Sequence, residues 1–95
     1  GIKINPIHVS DAAKAVINCL EIKGSHKINI GGPDVLSLRE ICNIIGKKTG
    51  KIPKLTIHQS EAKHLFGDIS KMEKLLVKPV ISFGVGINEL VKKYE

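Results

Sequence analysis

The sequence predicts an α/β fold: a small domain of about three short strands and four helices in 95 residues. Three observations carry this. Apolar residues recur at helical spacing, as in Leu38, Ile41, Cys42 and Ile45. Serines or an aspartate stand where these stripes begin, and glycines where they end. Between the stripes lie short runs rich in isoleucine, of strand length and flanked by turn residues.

Ile2 to Val9 reads as extended, with Pro6 restricting its early part to an edge or a strand start. Asp11 is a good N-cap for a helix from Ala12 to about Ile22, which Gly24 ends. That helix is apolar on most sides and asks for cover on more than one face. Lys27 to Ile30 reads as a second strand, followed by the Gly31-Gly32-Pro33 turn. Ser37-Leu38-Arg39-Glu40 is a capping box, and the helix it opens closes at Gly50 after Lys47 and Lys48, which suit its negative end. Leu55 to His58 is the third strand, and Gln59 to Gly67 an irregular surface stretch. Ser70 and Glu73 match a second capping box for a short helix through Leu76, which Lys78-Pro79 stops. Ser82 caps a last helix with the stripe Ile87, Leu90, Val91, Tyr94.

Composition excludes several function classes. Apolar content of 42% and charged content of 25% are ordinary, so disorder is not expected. The net charge of +6 is almost wholly lysine, with Arg39 the sole arginine, and only 3% of residues are aromatic. Base-reading arginines and stacking platforms are therefore scarce, and no nucleic-acid partner is expected. No apolar run approaches the length of a membrane span, and no signal peptide is apparent, so the expectation is a cytoplasmic protein without membrane contact. Cys19 and Cys42 sit on apolar stripes and read as buried, reduced thiols.

The strand, glycine turn and helix between Lys27 and Glu40 invite comparison with a nucleotide cradle. The third turn residue is proline, which has no N–H to offer a phosphate, and the helix starts only after Ser37. A structural turn is the better reading. His8, His26, His58 and His64 lack the close pairing of a metal site. The serines and glutamates read as helix caps before they read as nucleophiles or bases. His58, Lys63 and His64 gather three potentially cationic groups in the irregular stretch, where a phosphate or carboxylate could be held. A solvated basic loop is the plain alternative.

Several segments resemble extended short-chain dehydrogenases/reductases, the NAD-dependent epimerase/dehydratase family. Ile7-His8-Val9-Ser10-Asp11-Ala12-Ala13-Lys14-Ala15 resembles its I-H-V-x-D-x-A-x-A segment, and Asn29-Ile30-Gly31-Gly32 its N-I-G strand end. Ser37-Leu38-Arg39-Glu40-Ile41 resembles its S-L-x-E helix start, and Asp68-Ile69-Ser70-Lys71 its D-x-S-K run. Pro79, Phe83, Gly86 and Ile87 resemble its closing pattern.

The resemblance implies that residues 1–95 are the C-terminal, substrate-binding part of such a protein, a partial piece of a Rossmann-type enzyme. It implies substrate-facing roles for His8, His58, Lys63 and His64, and a sugar or nucleotide sugar as substrate. The expected partner is a missing N-terminal Rossmann domain, and the open edges are expected to self-associate. NAD(P) is implied for the parent. In this chain neither a G-x-x-G-x-x-G loop nor a Tyr-x-x-x-Lys pair is present, so no cofactor site or turnover is expected of it alone. The sequence departs from nucleotide-sugar enzymes at Ile4, where they often carry arginine. It departs again at His58-Gln59-Ser60-Glu61, where they often carry R-P-G-D. The alternative reading is a free-standing binding or protein-interaction module derived from the same fold.

Overall fold

The computed structural model describes residues 2–56 and 63–94. Its elements are β1 (Lys3–Ile4), α1 (Val9–Cys19), β2 (Leu36–Ser37), α2 (Leu38–Thr49), α3 (Ser70–Leu75) and α4 (Phe83–Lys93). β1 pairs antiparallel with β2, Lys3 opposite Ser37 and Ile4 opposite Leu36. On its other side Ile4 forms a parallel bridge with Leu65. β1 thus lies between β2 and the segment that follows residue 62. Helix α2 continues directly from β2 and packs against α4.

The α/β class and the four helices agree with the sequence, but the strands fall elsewhere. Lys27–Ile30 is extended without being a strand, since no backbone partner lies beside it among the described residues. Leu55 and Thr56 are likewise outside any strand, and Ile57 and His58 lie outside the described residues. β2, which sequence reasoning assigned to a turn and a cap, forms because Ser37 does two jobs. Its backbone pairs with Lys3, and its hydroxyl accepts from Glu40 N at 3.1 Å while Glu40 Oε1 accepts from Ser37 N at 3.3 Å. The capping box is therefore real, and Gly50 ends the helix in the left-handed conformation at φ 70°.

Two caps differ from expectation. α1 starts three residues early because His8, not Asp11, is its N-cap: His8 Nδ1 accepts from Ser10 N at 3.0 Å. α3 has Ile69 at its N-cap with no side-chain cap, so the second capping box is absent. Asp68 replaces it, its Oδ1 accepting from Ser70 N at 2.9 Å and from the Ser70 hydroxyl. Ser82 caps α4 as expected, accepting from Val85 N at 3.3 Å.

Asp11 instead holds the molecule together. It is fully buried, and its Oδ2 accepts from Val80 N at 3.1 Å and Ile81 N at 2.9 Å. Asp34 extends the same arrangement, accepting from Phe83 N at 3.2 Å. Two carboxylates thus satisfy the backbone donors of the turn entering α4.

The apolar core within the chain is small. Among the described residues only Ala15 and Met72 are fully buried hydrophobics. The exposed surface is 7429 Å², against roughly 5,400 Å² for a compact globule of this mass. The radius of gyration is 15.6 Å, against about 12.5 Å for a compact chain of this length. The molecule is a slab 47 × 37 × 15 Å. α1 shows why. Asp11, Ala15 and Asn18 face inward, while Val9, Ala13, Val16, Ile17 and Leu20 form a second apolar stripe facing out. Val16 is 66% and Leu20 86% exposed. Cys19, expected to be buried, is exposed on this helix, and Cys42 is half-buried; both thiols are free.

Candidate functional site

The Gly31-Gly32 turn is a joint between segments. Both glycines are buried, and Gly32 N donates to Asn5 O at 3.0 Å. A Cβ on Gly32 would come within 2.7 Å of the Pro6 carbonyl carbon and 3.2 Å of Ile7 Cα. A Cβ on Gly31 would meet Ile69 Cγ2 at 2.9 Å and the Asn5 side chain. The glycines let the chain pass directly over the backbone of Asn5 and Pro6.

The segment after residue 62 is pinned to β1 at three points. Leu65 N donates to Lys3 O at 2.9 Å. His64 Nδ1 accepts from Lys3 N at 3.1 Å. Gly67 exchanges two hydrogen bonds with the Asn5 side chain, at 3.0 and 3.1 Å. The acceptor role of Nδ1 leaves the proton of neutral His64 on Nε2, so its free edge is a donor. Lys63, His64 and Phe66 are exposed, and the rings of His64 and Phe66 lie 6.3 Å apart, tilted. Of the expected cluster, Lys63 and His64 stand together and exposed on this segment, and His58 lies outside the described residues.

His8 sits elsewhere. With Nδ1 occupied by Ser10, its Nε2–H faces Glu89 Oε2 at 2.9 Å, joining the start of α1 to α4. It borders a cleft of about 460 Å³ walled by Pro6, Ile7, Phe83, Ile87 and Leu90, with Lys93 also at the lining. His8 and His64 share no contact: one is tied to Ser10 and Glu89, the other to Lys3 and Phe66. Sequence reasoning missed Asn5 and Glu89. Neither belongs to a motif, and both act through partners more than 60 residues away.

Asp68 is more acidic than an ordinary aspartate. The Ser70 hydroxyl and then the Ser70 N–H stabilise its carboxylate and lower its pKa. This ties the end of the pinned segment to the start of α3. Among the described residues no cluster of His, Cys, Asp or Glu could hold a metal, and no helix is long and apolar enough to cross a membrane.

The sequence matches no protein-family model and, significantly, no curated protein. The fold does match solved structures. UDP-glucuronic acid 4-epimerase from Bacillus cereus in complex with NAD superposes with a TM-score of 0.72 at 26% identity. That likeness takes in 96% of this chain and 31% of the epimerase. A mutant of the same enzyme, in complex with NAD and UDP-4-deoxy-4-fluoro-glucuronic acid, gives 0.75 at 27% identity, over 94% of this chain and 32% of that one. The chain spans about a third of the length of the enzymes it resembles. With this likeness added to the I-H-V-x-D, N-I-G and S-L-x-E segments, the chain is similar over nearly its whole length to part of an NAD-dependent epimerase/dehydratase, consistent with a C-terminal portion of such an enzyme.

Proposed function

We propose that this chain forms the substrate-side wall of an NAD(P)-dependent nucleotide-sugar epimerase, dehydratase or reductase. The observation that carries the reading is the overlap of 96% of this chain with 31% of an epimerase seen with NAD and, as a mutant, with a UDP-sugar analogue. The uncovered surface supports it. The outward apolar stripe of α1 and the Lys27–Ile30 backbone, which has no strand partner among the described residues, are surfaces that a cofactor domain would cover, one by packing and the other by adding a strand.

In this reading Lys63 and His64, together with His58, face the substrate. Lys63 contributes a cation for a diphosphate or a sugar carboxylate, and His64 its Nε2–H donor. His8 lies farther from that segment, at the cleft beside α4, and borders the substrate space through Ile7 and Phe83. The parent's NAD(P) supplies hydride transfer on another part of the protein; the groups named here bind and orient.

The test is calorimetric titration of UDP-glucuronic acid into the full-length protein loaded with NAD. Micromolar binding that Lys63→Ala and His64→Ala each weaken about tenfold supports the reading. No binding of any UDP-sugar refutes it.

A further inference from the structure

We propose that Asn5 is a positioning residue, a peptide-like clamp that sets the Lys63–Gly67 segment in place for substrate. The proposal rests on the functional reading above, in which Lys63 and His64 face substrate.

Asn5 follows β1 directly. Its Nδ2 donates to Gly67 O at 3.0 Å, and its Oδ1 accepts from Gly67 N at 3.1 Å. The carboxamide thus exchanges both bonds, one as donor and one as acceptor, with a single residue. It continues the pairing that Leu65 N makes with Lys3 O at 2.9 Å. Only a carboxamide of this length offers one donor and one acceptor at that spacing; aspartate has no donor and leucine has neither.

Residues distant in the chain make room for the clamp. A Cβ on Gly31 would lie 3.0 Å from the Asn5 amide carbon, so the glycine leaves the space the amide fills. On the other side, a Cβ on Gly67 would lie 3.2 Å from Asn29 Cβ. The bonds between Asn5 and Gly67 are half-buried, whereas Lys63 and His64 are exposed. The half-buried part of the segment is therefore the part Asn5 holds, and the exposed part is what it presents. Binding groups need support from locked neighbours to hold their geometry.

The experiment compares Asn5→Asp and the smaller Asn5→Ser with wild type in the full-length protein. Two quantities are read: hydrogen exchange at the Gly67 amide, and kcat and KM for a UDP-sugar. Gly50→Ala, which strains the left-handed far end of α2, is the control for general destabilisation. The expected result is Gly67 exchange about tenfold faster and KM about tenfold higher in both variants. kcat stays within about twofold, and KM is unchanged in Gly50→Ala. Faster Gly67 exchange with unchanged KM would overturn the positioning role, leaving a structural bond only. Unchanged Gly67 exchange would overturn the clamp itself. Wild-type protein that binds no UDP-sugar refutes the functional reading and with it any role toward substrate, while the exchange measurement still decides the clamp.

Discussion

Replacing Gly32 by alanine is expected to destabilise the protein by about 3 kcal/mol. The new methyl would run into the Pro6 carbonyl oxygen, its nearest neighbour, and sit 2.7 Å from the carbonyl carbon, well inside the ~3.5–4.0 Å optimum for carbon contacts. The obstacle is backbone on both sides of the contact, since Ile7 Cα is the next neighbour at 3.2 Å, so no side chain can rotate away. Overpacking of this kind costs about 1–3 kcal/mol. Separating the segments also weakens the 3.0 Å bond from Gly32 N to Asn5 O, worth about 1 kcal/mol. A domain of this length has roughly 5–14 kcal/mol in all, so the loss is large, equivalent to a drop in Tm of about 12–24 °C. Urea unfolding of wild type and variant reads it as a fall in midpoint at constant slope. Gly84→Ala is the matched control. Gly84 lies inside α4 with nothing within 4 Å of its would-be Cβ, and alanine there should stabilise by about 0.5–1 kcal/mol. A Gly32→Ala variant within about 0.5 kcal/mol of wild type would refute the close-approach explanation of this turn.

Asp11→Ala should cost about 2–4 kcal/mol in the same assay, because it empties a fully buried site and strands the half-buried N–H groups of Val80 and Ile81. Ser37→Ala should cost about 1 kcal/mol through the lost capping box, read by the same unfolding curves. Asp68 has a depressed folded-state pKa, so its contribution to stability is present above its unfolded pKa and is lost as pH falls through the folded value. Carboxyl carbon NMR titration should find that pKa below the ordinary aspartate range and moving up in Ser70→Ala. The isolated chain should bind a hydrophobic dye and self-associate through the outer stripe of α1. Val16→Lys together with Leu20→Lys should reduce both, as seen by fluorescence and light scattering.

The sequence was most informative where structure is local. The box at Ser37 and Glu40 and the cap at Ser82 involve neighbours three residues apart, and both are present. The glycine turn read correctly as structural, although the reason, backbone passing over Asn5 and Pro6, is invisible without the fold. Non-local roles were hidden. Asp11 looks like a helix cap in sequence, but its partners Val80 and Ile81 lie 69 and 70 residues on. Lys27–Ile30 has strand composition, but a strand needs a neighbour, and the described chain puts none beside it. Lys63 and His64 were legible in the sequence as neighbouring, potentially cationic groups. Their support was not, because Asn5 meets Gly67 across 62 residues.

The most direct test of the central claim is hydrogen exchange in the full-length protein, with and without UDP-glucuronic acid. The account predicts that the α1 backbone is strongly protected in both states, as a helix covered on both faces, and that the sugar nucleotide adds protection around Lys63–Gly67. Exchange unchanged by ligand along Lys63–Gly67, with α1 exchanging as a surface helix, would contradict it.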